Sequence, residues 1–126
     1  MCRVLQLPRS TYYYESKAVE TVDEIIPKII EIFKSFHDIT VFPQRKKIEN
    51  QIGIVPVHFR NHTPTEISKI LDENFDIAVR GGLHCSPETH KFLDTHPQGL
   101  IRFSLGYFNT ENDLIKLREA LESFCI

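Results

Sequence analysis

Cysteine is scarce: Cys2, Cys85 and Cys125 are the only three in 126 residues. Three thiols so far apart cannot build the paired framework of a small secreted domain, so a reducing, cytoplasmic setting is expected. An excess of charge of one sign is also missing. Fifteen basic against 17 acidic residues leave a net charge of −2, and nothing polybasic steers the chain to nucleic acid or anionic lipid. No apolar run approaches the roughly 18–20 residues of a membrane-spanning helix. The opening residues, Met1 to Tyr14, hold neither a long apolar stretch nor a small-residue cleavage site, which argues against a secretory leader. What is present is ordinary for a globular protein: 41% hydrophobic and 25% charged residues. The length fits one domain or two very small pieces. It allows a modest single core but not the two-domain body of a cofactor enzyme. Charge divides unevenly, net +1 over residues 1–50 and −3 over residues 51–126, a hint of two pieces.

There is no internal repeat. Residues 3–7 read as a short helix ended by Pro8, with Ser10 and Thr11 as caps for a turn through Tyr12, Tyr13 and Tyr14. Thr21 and Glu24 have the spacing of a capping box. Val22, Ile25, Ile26, Ile29, Ile30, Phe33 and Phe36 follow at helical spacing, and Pro27 should kink that helix or move its start. Residues 37–51 carry the basic run Arg45-Lys46-Lys47 and read as a connector with room for one helical turn.

The second part is more regular. Ile52–Phe59 is β-rich, and Pro56 requires that its donor-less side face an edge or a bulge. Thr63, Pro64 and Glu66 predict a capped helix start with Ile67, Ile70 and Leu71 inside. Ile77-Ala78-Val79 predicts a short strand running into Gly81-Gly82. After a long loop, Leu100–Leu105 alternates, with Ile101, Phe103 and Leu105 on one side and Arg102 and Ser104 on the other. A last helix is capped by Thr110 and buries Leu114, Leu117, Leu121 and Phe124. The expected fold class is α+β: a small antiparallel or mixed sheet with two helices on one face, preceded by an N-terminal helical segment.

Chemistry concentrates in Arg80-Gly81-Gly82-Leu83-His84-Cys85-Ser86-Pro87. Two glycines let the backbone turn sharply. The cysteine follows an arginine by five residues and adjoins a histidine, and cationic neighbours favour the nucleophilic thiolate. Most lone cysteines are instead small buried hydrophobes, and Cys2 and Cys125 receive no role. His84, Cys85, His90 and His96 raise a zinc reading, but their spacing fits no standard zinc pattern, and no metal is expected. Arg102 interrupts an apolar strand. It is either an outward-facing residue or an anchor that grips a carboxylate with its guanidinium fork.

The segments GIVPVHF, EISKILDENFDIAVRGGLHC and GLIRFSLGYFNTENDLIKLREAL resemble the C-terminal part of the cysteine desulfurases of the class V aminotransferase family. The shared pattern is carried by Arg80, Gly82, His84, Cys85, Arg102, Asn109 and Thr110, and the resemblance covers about 75 residues, from Ile52 to the end. It implies fold-type-I pyridoxal phosphate chemistry on L-cysteine. Cys85 matches the cysteine that takes the substrate sulfur as a persulfide while alanine leaves. Arg102 matches the residue that holds the substrate carboxylate, Arg80 a second arginine near the active site, and His84 and Gly82 the supports of the loop. The resemblance does not extend to a cofactor-bearing large domain, so the chain alone is expected to bind no pyridoxal phosphate and to be inactive by itself. His90-Lys91 is not read as the cofactor motif, because the cofactor lysine belongs far upstream of the cysteine loop. The partners implied are a separately encoded large domain or a homodimer mate.

Residues 1–51 carry a different resemblance. Met1–Tyr14, with Pro8-Arg9-Ser10-Thr11-Tyr12-Tyr13 at its centre, and the segment VFPQRKKIENQ resemble the N-terminal region of insertion-sequence transposases of the DDE type, without their catalytic carboxylates. The expected organisation is a helical transposase-like fragment with a connector at 1–51 and a desulfurase-like small domain at 52–126. Two rival functions follow. One is a persulfide carrier acting through Cys85 alone, and the other a small DNA-binding module from the N-terminal helices.

Overall fold

The computed structural model describes residues 18–42 and 53–125. The short helix and turn expected within residues 3–14, and the basic run at 45–47, lie outside them. Helix α1 is Ala18–Lys34, followed by strand β1, Ile39–Val41. Strand β2 (Ile54–Phe59) precedes helix α2 (Pro64–Phe75), strand β3 (Arg80–Gly82) and the short helix α3 (Pro87–Phe92). Strand β4 (Leu100–Ser104) and helix α4 (Glu111–Phe124) close the fold. The four strands form one antiparallel sheet in the order β1-β2-β4-β3. The α+β class expected from the sequence is the class observed, and the sheet is antiparallel.

Period-two alternation sorts the strands into two faces. Val55, Val57, Phe59, Ile101 and Phe103 are all buried, against helix residues that include Ile29, Phe33, Ile67, Leu71, Leu117 and Leu121. Between them in sequence, Ile54, Pro56, His58, Arg102 and Ser104 are exposed or half-buried. Three helices, not two, supply the covering layer, because α1 packs on β1 and α4 while α2 packs on β3, β4 and α4. Ile25, Ile26, Ile29, Ile30 and Phe33 are buried as their spacing predicts, and Phe36 is half-buried. The core therefore draws on both sides of residue 51.

Four local expectations are revised. Helix α1 begins at Ala18 and contains both Thr21 and Pro27, so Thr21 lies within the helix and Pro27 does not mark its start. Residues 39–41 are a strand, not connector. Ile39, Thr40 and Val41 are all β-branched, and they pair with Phe59, His58 and Val57. Residues 77–79 are not a strand. Asp76 adopts a left-handed helix cap at φ 54 and its N–H bonds the Leu71 carbonyl. Ile77 N also bonds Leu71 O at 3.0 Å, which wraps the chain around the end of α2. Ile77 and Val79 pack on the core without a ladder, and pairing starts only at Arg80, opposite Arg102. The long loop after Cys85 contains helix α3.

Pro56 sits mid-strand, yet costs little. Phe42 N donates to Pro56 O at 2.8 Å, the half of a ladder pair that needs no proline N–H. The missing half falls where β1 has already ended at Val41. The capped start of α2 is as expected: Glu66 N bonds Thr63 Oγ1 at 3.3 Å and Thr63 N bonds Glu66 Oε2 at 2.8 Å. That second bond, with the Thr63 hydroxyl, holds the Glu66 carboxyl below its usual range.

Candidate functional site

The site grows from the β3–α3 connection at the sheet edge. Gly81 lets β3 lie directly on α2. A Cβ there would stand 2.5 Å from the Pro64 carbonyl oxygen and 2.6 Å from Ser68 Oγ, too close for any side chain. The close approach that this glycine permits is thus to α2. The strand then leaves the sheet through Gly82 at φ 114.

Leu83, His84, Cys85 and Ser86 form a tight turn, closed by Ser86 N donating to Leu83 O at 2.9 Å. Its two central residues, His84 and Cys85, have φ of 51 and 61, the signs of a type I′ turn, where Asn-Gly is the usual pair. For residues with a Cβ the left-handed region costs roughly 1–2 kcal/mol each, so neighbouring contacts must hold it. His84 supplies one. Its Nε2 lies 2.9 Å from the Arg80 carbonyl, which only accepts, so Nε2 carries the proton.

The turn presents Cys85 to solvent as a free thiol. The Arg80 guanidinium donates to Cys85 Sγ at 3.9 Å. Arg80 and Arg102 are direct cross-strand partners, and Pro56 lies on the other side of Arg102 in the same row. Like charges directly opposite one another destabilise a sheet, and among the described residues no carboxylate pairs with either arginine. Arg102 Nε is buried and has no hydrogen-bond partner, a cost of about 1–3 kcal/mol for a neutral group and more for a charged one. Two neighbouring guanidiniums, one with an orphaned N–H, offer an anion both charge and a donor. The structure thus brings Arg80, Gly82, His84, Cys85 and Arg102 to one edge of the sheet.

Two residues that the sequence did not single out for this role stand behind the turn. His90 is 4% and Thr95 7% exposed, and His90 Nδ1 lies 2.8 Å from Thr95 Oγ1. The His90 ring also lies 5.8 Å from the His84 ring. Burial first, then the neighbouring His84 and, less, His96, push the His90 imidazole below its ordinary range, opposed in part by the Leu83 backbone. The only sequence signal was Ser86-Pro87, a helix start that turns α3 back over the loop. Among the described residues no group of three or more His, Cys, Asp or Glu side chains is arranged to hold a metal ion.

A depressed histidine has a defined consequence. The unfolded chain takes up this proton near pH 6.5, whereas the folded chain resists it. The contribution of His90 is therefore complete above that pH and is lost as pH falls towards the folded value. Denaturant midpoints measured between about pH 7.5 and 5.5 should decline less steeply in His90→Gln, which cannot titrate, than in the unmodified chain.

A cavity of about 560 Å³ opens elsewhere, between the segment Phe75–Val79, the end of β4 and the start of α4. Arg80, Cys85 and Arg102 do not line it, so it is separate from this site.

Over 75 residues the chain is 39% identical to a probable cysteine desulfurase of Methanothermobacter thermautotrophicus, covering 59% of this chain and 19% of that protein. Over 70 residues it is 37% identical to a probable cysteine desulfurase of Aeropyrum pernix, covering 56% and 16%. The chain thus spans about a fifth of the length of the curated relatives it matches. In fold it is similar to the apo structure of a cysteine desulfurase from Thermococcus onnurineus NA1, with a TM-score of 0.73 at 18% identity, covering 82% of this chain and 25% of that one. The family model described as aminotransferase class-V matches residues 14–117, taking in both α1 and the Cys85 turn, and the chain belongs to that family.

Proposed function

We propose that these 126 residues are the C-terminal part of a pyridoxal phosphate-dependent cysteine desulfurase. They keep its sulfur-accepting turn and carboxylate anchor, and alone they do not release sulfur from cysteine. The observation that carries this reading is the pairing of Arg102, whose buried Nε lacks an acceptor, with Arg80, whose guanidinium touches Cys85. A substrate carboxylate would give that N–H its partner and offset the repulsion between the two guanidiniums, placing the substrate's own sulfur near Cys85.

The class-V aminotransferases are pyridoxal phosphate enzymes, and the cofactor supplies an electron sink when bound. The described residues do not fit it. A lysine that holds this cofactor must sit buried against it, yet Lys28, Lys34, Lys69, Lys91 and Lys116 are all exposed. The Lys91 ammonium is engaged with Glu88 at 2.7 Å on α3. What this chain contributes is a sulfur acceptor at Cys85, a carboxylate anchor at Arg102 and an anion-attracting neighbour at Arg80. The reading calls for a cofactor-bearing large domain outside these residues. It also gives the N-terminal residues a second, transposase-like origin, which sequencing of the flanking DNA tests.

Purified chain mixed with pyridoxal phosphate and L-cysteine is expected to show no borohydride-reducible cofactor band and no alanine. Alanine release with such a band would overturn the reading.

A further inference from the structure

Arg80 and Arg102 face each other across the β3–β4 ladder, and among the described residues no carboxylate is paired with either. One carboxylate at this edge would neutralise one of the two charges. A small dianion would neutralise both, and Arg102 Nε, buried and without a partner, would gain an acceptor. The thiol stands within reach of the same charge. Cys85 is exposed, and its Sγ takes an N–H from the Arg80 guanidinium at 3.9 Å. Arg80 is itself exposed and Arg102 half-buried, so the edge is open to a small anion from solvent.

We propose that this edge passes the outer sulfur of a Cys85 persulfide to a small dianionic nucleophile of the sulfite class. The step rests on the reading of Cys85 as the sulfur acceptor and goes beyond it, giving the acquired sulfur a small-molecule exit. It needs no outside oxidant. The lone pair on the sulfite sulfur attacks the outer sulfur of the persulfide and forms a new S–S bond. The bond from that sulfur to Cys85 Sγ breaks, Cys85 leaves with the electron pair as thiolate, and thiosulfate departs. Any proton on the outer sulfur goes to solvent. Arg80 serves both ends of the step. Its guanidinium draws the dianion, and it stands 3.9 Å from the sulfur on which the negative charge arrives. That second contact favours attack on the outer sulfur, because the charge leaving on Sγ is then met by a cation. Arg102 contributes the second charge and the free Nε–H.

For the test, the full chain is loaded at Cys85 with glutathione persulfide and freed of the donor. It is then mixed, at mildly alkaline pH and low ionic strength, with sulfite or with a neutral trialkylphosphine, which removes the same sulfur without carrying charge. Loss of the added sulfur from the Cys85 peptide is followed by mass spectrometry, per loaded chain, and thiosulfate is measured in the sulfite reaction. The unmodified chain should yield one thiosulfate for each persulfide lost. The ratio of the sulfite rate to the phosphine rate should fall at least roughly five-fold in Arg80→Met and likewise in Arg102→Met, the weight of one guanidinium about 4 Å away in water on one unit of negative charge. Sulfate has the charge but no sulfur lone pair. At ionic strength held constant with chloride it should slow the sulfite reaction and spare the phosphine reaction. A ratio within about two-fold of wild type in either variant overturns the proposal, and so does S-sulfonated Cys85 with hydrosulfide release in place of thiosulfate. Should a variant not fold, the unmodified chain decides: its ratio must drop as chloride rises, and a salt-independent ratio overturns the proposal equally. A chain that loads Cys85 but gives no thiosulfate loses only this exit. A chain that does not load loses the acceptor reading, and the exit with it.

Discussion

Exposed to a low-molecular-weight persulfide such as glutathione persulfide, the chain is expected to gain one sulfur atom at Cys85, and Cys85→Ser to gain none there. The step needs no outside oxidant. The Cys85 thiolate attacks the outer sulfur of the donor and the donor's S–S bond breaks. Its thiol leaves with the electron pair, and a new S–S bond stands on Cys85. Access favours Cys85, which is exposed. Cys125 is a poor competitor at the end of α4. Burial, and then the charge of Asp38, push its thiol up to about 11, so roughly one in ten thousand is ionised at neutral pH. The effect of Cys85→Ser should therefore be near-complete at that peptide, whereas Cys125→Ser should leave Cys85 loading unchanged. Peptide mass spectrometry after trapping of the persulfide checks both. Equal loading of Cys125, or none at Cys85, would remove the sulfur acceptor from the proposed function.

The site divides into a part legible in the sequence and a part that was not. Arg80, Gly82, His84, Cys85 and Arg102 were readable because they sit on a short stretch with a family pattern or interrupt a strand's alternation. His90 and Thr95 were hidden for a physical reason. Their role comes from the fold of α3 back over the turn, and a six-residue helix has too few turns to show a period. The same length argument explains β1: three β-branched residues pair with β2, but no alternation is visible over three positions. By contrast α2 was legible from its cap alone, since Thr63, Pro64 and Glu66 perform local chemistry independent of tertiary context. Ile77 and Val79 misled because an apolar alternation is satisfied equally by a ladder or by wrapping a helix end onto the core.

Phe33→Ala is expected to cost about 3–5 kcal/mol, a large share of the roughly 5–15 kcal/mol that holds a domain of this kind together. Phe33 is 0% exposed, and its ring lies 4.9 Å from that of Phe103 at an interplanar angle of 53°, a tilted pair that adds to simple burial. Phe103 is the next-but-one neighbour of Ile101 on the inner face of β4, and Arg102 between them points to the outer face. A cavity opened at Phe33 thus lies directly beneath the strand that presents Arg102. The substitution also asks whether α1 is integral. If the helix were an appended piece, removing its ring would leave the denaturant midpoint of the sheet nearly unmoved, and a loss under about 1 kcal/mol would show that. A loss of the expected size, with far-ultraviolet and tyrosine signals shifting together, would mean that residues before and after position 51 melt as one cooperative unit. In that case the edge that carries Arg80 and Cys85 depends on α1 for its rigidity: the helix packs on β1 and α4, supports β4 through Phe103, and through β4 sets where Arg102 stands opposite Arg80.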